Sequence, residues 1–320
     1  MSLRLCAGAV LALAALPVLA QQFPSRPIRV LIPFTAGSAA DIIARAMEPQ
    51  MREKLAHSLV IDNRGGAGGN IAAEMTAKAA PDGYTIMMAT IGTHAINYSL
   101  YSKLPFHPQR DFTPIALVGE SPNVLVINPK VNASSIQDLI ALAKAKPGQL
   151  NYGSSGADTS VHLSAELFAS MAHVRIVHVP FKGATEALTA LLGGQLELMF
   201  ASLSSAIPLV KAGRLRAFAV TGAQRSPSIP ELPTMAEAAL PGYAAAAWYG
   251  IVGPAGIPKD AVATLNRTAL SALATREVKD RMFASGVEVR TSTPEEFARL
   301  IDSEIKKWAK VVKDSGAKVD

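Results

Sequence analysis

The side chains best suited to chemistry in this sequence are hydroxyls set among glycines, directly ahead of apolar-periodic helices. Phe34-Thr-Ala-Gly-Ser38 follows the apolar run Val30-Leu-Ile32. Ser38 stands three residues before Asp41, a capping pattern that opens a helix through Ile42, Ile43 and Met47. A strand running through a small loop into a helix start points backbone N–H donors and the positive end of the helix dipole at one place, which is where an anion is held. The same pattern recurs at 153–159, 181–185 and 201–205, and in a more polar form at 90–94. The candidate ligand contacts are therefore Phe34, Thr35, Ala36, Gly37, Ser38 and Asp41, then Thr90 and His94. A second set comprises Ser154, Ser155, Gly156 and Thr159, then Phe181, Lys182 and Gly183, and last Ala201, Ser202 and Ser205. Backbone amides and Ser/Thr hydroxyls of this kind suit a carboxylate or a phosphate. The competing reading is that each Ser or Thr only caps its own helix. That reading explains any one residue better than it explains the set. Asp41 also reads as a helix-start cap and dipole partner, and Lys182 as either a point charge for an anion or half of a surface pair. Phe34, Phe181, Trp248 and Tyr249 could wall a site or belong to the core.

Other chemistries find little support. Arg64-Gly-Gly-Ala-Gly-Gly-Asn70 follows a strand, but Ile71 stands where a dinucleotide fingerprint needs its third glycine, and no Walker lysine follows. It reads as a tight turn lining a cleft. The six histidines lack metal spacing. His162 and Glu166, four apart on a helix, have no third ligand nearby, so a packed or capping histidine is expected. Gly153-Ser-Ser-Gly156 is not a nucleophile elbow, because two residues rather than three separate its glycines. No catalytic residue, metal or cofactor is expected. The net charge of +6 is scattered, and the densest basic cluster (Lys306, Lys307, Lys310, Lys313) is interleaved with Asp302, Glu304 and Asp314. That is a solvated helix face and not a nucleic-acid patch.

A chain of 320 residues with a hydrophobic fraction of 49% and only 18% charge suits two folded domains. Residues 1–20 read as a cleavable signal peptide, with Arg4, an apolar stretch from Ala7 to Leu19, and a small-residue site at Val18-Leu-Ala20. No later run is long enough to span a membrane, so an exported, soluble periplasmic protein is expected. Cys6, the single cysteine, lies in that segment, which leaves no thiol for a disulfide or a metal. Strand, loop and helix then alternate twice along the chain, which implies parallel sheets with right-handed crossovers. Residues 105–114 read as irregular, with a strand at Val124-Leu-Val-Ile-Asn128 after them. A Pro-rich return follows at 225–247, ahead of final helices at 261–274 and 295–313. The expected architecture is α/β with two lobes: 22–128 plus 245–320 as lobe I, and 129–244 inserted as lobe II. Two chain crossings make a hinge, and a cleft between the lobes would hold a small ligand.

Read together, the stretches Pro33-Phe-Thr-Ala-Gly-Ser-Ala-Ala-Asp-Ile-Ile-Ala-Arg45, Asn63-Arg-Gly-Gly-Ala-Gly-Gly-Asn70, Pro81-Asp-Gly-Tyr84, Gly92-Thr-His-Ala-Ile-Asn97, Tyr152-Gly-Ser-Ser-Gly156 and Val179-Pro-Phe-Lys-Gly183 form an ordered set. The chain resembles the Bug family, the extracytoplasmic solute receptors of tripartite tricarboxylate transporters. The resemblance covers nearly all of the chain after residue 22. It implies a periplasmic binding protein of the type II, Venus-flytrap kind, acting as a monomer with separate membrane permease subunits and a small organic carboxylate as ligand. It assigns a ligand carboxylate to the loop 34–38, partly through water, and the opposing wall to 154–159, 181–183 and 201–205. Many members carry Gly-Gly where this chain has Gly37-Ser38, and Asp-Asn where it has Ala201-Ser202. The missing acid argues against amino-acid ligands and for a plain carboxylate. An exported enzyme on the same scaffold and a ligand sensor for a membrane kinase are the alternatives.

Overall fold

The structure is a computed structural model that describes residues 23–154, 159–181 and 183–315. The signal-peptide expectation for 1–20 lies outside those residues. Three short apolar runs, Ile28–Ile32 (β1), Leu59–Asn63 (β2) and Thr85–Thr90 (β3), pair in parallel, with Ile28 opposite Leu59 and Arg29 opposite Thr85. The helix Ala39–Leu55 (α1) crosses from β1 to β2, and Asn70–Ala77 (α2) from β2 to β3. Strand β3 leaves through a wide helical turn, Gly92–Ile96, into Asn97–Leu100 (α3).

The next strand is the longest. Phe112–Ile127 (β4) runs for 16 residues, so it includes the end of the segment expected to be irregular. Pro114 fits because the register with its neighbour shifts between Pro114 and Ala116, a bulge that needs no ladder N–H from the proline. The chain then forms Ile136–Ala145 (α4), Asn151–Ser154 (β5), Ser160–Ala172 (α5), Val177–Pro180 (β6), Ala184–Gly193 (α6), Leu198–Ser202 (β7), Leu203–Lys211 (α7) and Arg216–Val220 (β8). Met235–Ala238 (α8) leads to Ala246–Pro254 (β9), Lys259–Ala274 (α9), Arg276–Ala284 (α10), Glu288–Val289 (β10) and Pro294–Ser315 (α11).

Strand order is β2-β1-β3-β9-β4-β7-β5-β6, with β8 and β10 also on β4. The sheets are mixed, not parallel throughout. β1, β2 and β3 are parallel, as are β5, β6 and β7, but β9 runs antiparallel to β3 and β4, and β4 runs antiparallel to β7. The long strands β4 and β9 make the difference. The first part of β4 pairs β9 in one lobe, and Asn123 onward pairs β7 and β8 in the other. The second crossing lies beside the first. Asn123 N–H donates to Thr221 Oγ1 at 2.8 Å, Thr221 N–H to the Asn123 carbonyl at 2.9 Å, and Ala245 N–H to the Thr221 carbonyl at 2.8 Å.

Side-chain alternation sorts the core. Val30 and Ile32 of β1 face α1, α9 and α10, packing with Ile43, Met47, Leu265 and Met282. Leu31 faces the other way, into a cluster that includes Phe297 and Trp308 of α11 and continues past the hinge to Tyr152, Leu163, Phe168 and Phe200. A third cluster, with Val124, Leu191 and Met199, lies under α6 and α7. Helix α11 fastens the return crossing, since Lys307 Nζ donates to the Ala244 carbonyl at 2.7 Å. Helix α10 was not expected from the sequence. Val278 and Met282 are its buried residues, too few to register as a periodic apolar face.

Candidate ligand-binding site

The loop after β1 is open to solvent at its tip. Thr35, Ala36 and Gly37 are exposed, and Phe34 and Ser38 are half-buried. Gly37 has φ +83°, a left-handed turn that glycine takes without strain. Ser38 caps α1, its Oγ accepting from Asp41 N–H at 3.4 Å. Asp41 itself is 3% exposed and fully engaged. Its carboxylate accepts from Gly37 N–H at 2.9 Å, from Asn63 Nδ2 at 3.1 Å and from Arg45 Nε at 3.0 Å. Burial raises its pKa, but hydrogen bonds from Arg45, Gly37 and Asn63 outweigh that and hold it below the ordinary carboxylate range. The same Asn63 amide donates to the Phe34 carbonyl at 3.0 Å. Asp41 thus shapes the loop, and the cap expected of it is only part of its role. Among the described residues, the N–H groups of Thr35 and Ala36 have no acceptor.

Two more loops press against this one. Gly65 lies against the Phe34–Thr35 backbone. A Cβ on Gly69 would come within 2.7 Å of Thr93 Cγ2 and 2.9 Å of Pro33 Cβ. Only a glycine lets the three chains meet this closely. At the end of β3, Thr90 N–H donates to Thr93 Oγ1 at 3.1 Å and Thr93 N–H to Thr90 Oγ1 at 3.3 Å. Thr90 is 4% exposed, and His94 is fully buried, its ring 4.5 Å from that of Phe112 in an edge contact. Burial lowers the His94 pKa to about 3, so the ring is neutral. Both residues stand behind the exposed loop rather than on it.

Lobe II presents hydroxyls and imidazoles. Ser154 ends β5 fully buried, its Oγ 2.7 Å from His178 Nε2, while Phe181 N–H donates to its carbonyl at 3.0 Å. Thr159 caps α5 through His162 N–H at 3.3 Å. Ser202 and Ser205 hydroxyls meet at 2.5 Å at the start of α7, and both are half-buried. Ala201 was expected in that loop. Instead it is fully buried inside β7, opposite Val124, because the strand runs two residues further than its apolar letters suggest. Gly183 precedes α6. Ser155, Gly156 and Lys182 lie outside the described residues. The two lobes face each other where Ile91 and Ile96 approach Ser160, Leu163 and Ser164 across a gap of about 10 Å³ beside Ala245 and Trp308.

The sequence reading passed over Asn63, Thr93 and His178. Each sits in or beside a quoted motif, so proximity to the motif was the available signal. A much larger groove, about 1280 Å³, lies at the opposite ends of the lobe I strands, lined by Arg26, Lys54, His57 and Tyr84, and contains none of the candidate residues. Among the described residues no group of acids and histidines is placed to hold a metal ion, and no helix is long and apolar enough to cross a membrane.

The family described as "Tripartite tricarboxylate transporter family receptor" matches residues 43–317. The chain belongs to this receptor family. Protein BugT of Bordetella pertussis is 35% identical over 306 residues, covering 95% of this chain and 94% of BugT. An R. palustris protein solved with adipate is 38% identical with a TM-score of 0.73, covering 93% of this chain and 100% of that one. MatC from Rhodopseudomonas palustris, solved with bound malate, is 33% identical with a TM-score of 0.70, covering 91% and 100%. The receptor therefore has the two-lobed fold of periplasmic solute-binding proteins, and its role is to bind a solute for a tripartite transporter. The family is one of receptors and not of enzymes.

Proposed function

We propose that the receptor works in the periplasm as a monomer and captures a small dicarboxylate that needs no ammonium group. In this reading the first crossing lies within β4 at 122/123, earlier than the 128/129 read from the sequence, the second lies near 244/245, and the ligand lies between the loop 34–38 and the strand ends of lobe II. The supporting observation is the exposed loop at the start of α1. Its Thr35 and Ala36 amides have no acceptor among the described residues, and Asp41 holds the loop from behind. A carboxylate seated there gains charge-assisted hydrogen bonds and the helix dipole, the latter about 0.3–1 kcal/mol. The half-buried hydroxyls of Ser202 and Ser205 are the proposed donors of the opposite wall, and no acid stands at 201–202 to pair with a ligand amine. Relatives solved with adipate and malate carry ligands of this class.

Thermal-shift and calorimetric screening of adipate, malate, succinate, aspartate and glutamate tests the reading. Plain dicarboxylates are expected to bind with no chemical change after incubation. Binding restricted to the amino acids, or turnover of the ligand, would sink it. Light scattering after size exclusion should give a mass near 33.5 kDa or less, since the full chain is 33.5 kDa.

A further inference from the structure

Behind the lobe II hydroxyls lies a cluster that the anion-loop pattern does not explain. The rings of His162 on α5 and His178 on β6 stack with centroids 4.1 Å apart and planes 21° apart. Tyr152 stacks on His178 at 5.0 Å. His162 Nε2 lies 3.7 Å from Glu166 Oε1, and the Tyr152 hydroxyl donates to the same carboxylate oxygen. His178 Nε2 meets Ser154 Oγ at 2.7 Å. The cluster therefore runs from a carboxylate, through two stacked imidazoles, to the serine that ends β5.

Its place gives it a function. His162 lies in the first turn of α5, and the His178 ring reaches from within β6 to Ser154 at the C-terminal end of β5, the edge where the candidate loops gather. Among the described candidate residues of lobe II, Thr159, Phe181, Gly183, Ala201, Ser202 and Ser205 carry no ionisable side chain. The imidazoles beside Ser154 can supply positive charge, whereas Lys182 lies outside the described residues. Among the described residues, Tyr152 on β5 stacks on His178 and Glu166 on α5 stands by His162. From α11, Trp308 approaches α5 at Leu163 and Ser164, not at His162.

We infer that the stacked His162–His178 pair is the switchable cation of the lobe II wall, taking one proton from solvent when a dicarboxylate binds. The proton adds to a ring nitrogen, and no other bond changes. A face-to-face stack accepts one charge readily and a second poorly, because like charges at this distance repel. Glu166 stabilises the charged state from the far end. Protonation at His178 Nε2 also fixes the direction of the Ser154 contact. The ring donates, and the Ser154 hydroxyl proton is turned away from the ring. The pair thereby selects for the anionic second carboxylate, and affinity falls as pH rises through the imidazole range.

This inference rests on the dicarboxylate reading, and its test separates the two. Calorimetry at pH 7 in phosphate and in Tris, with whichever dicarboxylate of the panel binds, reads the protons taken up. Uptake approaching about one proton per ligand is expected, with affinity about tenfold higher at pH 6 than at pH 8. His178→Gln and His162→Gln, each checked for a normal melt, should both lower the uptake and flatten the pH profile. No uptake by the native receptor, or unchanged uptake in both folded variants, overturns the inference. If no panel member binds, the ligand reading has failed, and ring-proton NMR of the unliganded receptor decides the pair on its own. Coupled titrations separated by more than about one pH unit, collapsing to one ordinary titration in His178→Gln, support it. Independent titration of both rings overturns it.

Discussion

In lobe I, one buried carboxylate organises the anion loop: Asp41 takes hydrogen bonds from Gly37, Asn63 and Arg45, and glycines 65 and 69 let two further loops close up behind it. In lobe II the corresponding wall is held by groups that change direction cheaply, the Ser154–His178 contact and the Ser202–Ser205 hydroxyl pair. Fixed acceptors give the first wall a geometry set before any ligand arrives. A hydroxyl or an imidazole both donates and accepts, so the second wall takes its polarity from the ligand. The difference teaches where selectivity resides. Under the proposed function, the first wall recognises that a carboxylate is present, and the second reads what lies at the other end.

Substitutions at four positions probe that contrast, in falling order of effect. Asp41→Ala leaves the Asn63 amide and the Gly37 N–H without their acceptor, so a loss of about 3 kcal/mol in folding stability is expected, together with weaker ligand binding. Chemical denaturation and calorimetry measure the two. Because the folded-state carboxyl is held below its ordinary value, this stabilisation is present above about pH 4 and disappears as pH falls through the folded value. Asp41→Asn should accordingly flatten the acid limb of the stability curve. Gly69→Ala adds a methyl with nowhere to go at φ +89°, and about 2 kcal/mol should be lost as the three loops part. A normal melt with normal affinity would show that the loops are not locked together.

Ser154→Ala tests the second wall. Affinity is expected to fall by about 1 kcal/mol with a smaller change in the melt than Asp41→Ala causes. Equal damage to stability from the two would erase the contrast between the walls. Ser38→Ala is the mildest. Its capping bond is long at 3.4 Å, so a loss of about 0.5–1 kcal/mol is expected in the denaturation midpoint.

Local patterns were readable because their physics is local. The strand, small loop and capped helix at 28–55 lie within one stretch of chain, and so does the cap at Thr159. The residues that complete the site are not local. Asn63 reaches Asp41 from 22 residues away, His178 reaches Ser154 from 24, and Gly69 meets Pro33 and Thr93 only when three strands are aligned. A motif marks such residues as neighbours in sequence and says nothing about which side chains will touch.

The sequence by itself determined the α/β alternation, the two-lobed class, the anion-seeking helix starts and the receptor family, since these follow from periodicity, capping letters and ordered motifs. Tertiary structure alone decided that β4 and β9 run antiparallel through their sheets, that Ala201 is core and not loop, that Asp41 scaffolds the anion loop, and that two imidazoles stack behind Ser154. Strand direction and side-chain contact depend on distant segments meeting, and no short window of sequence contains both partners.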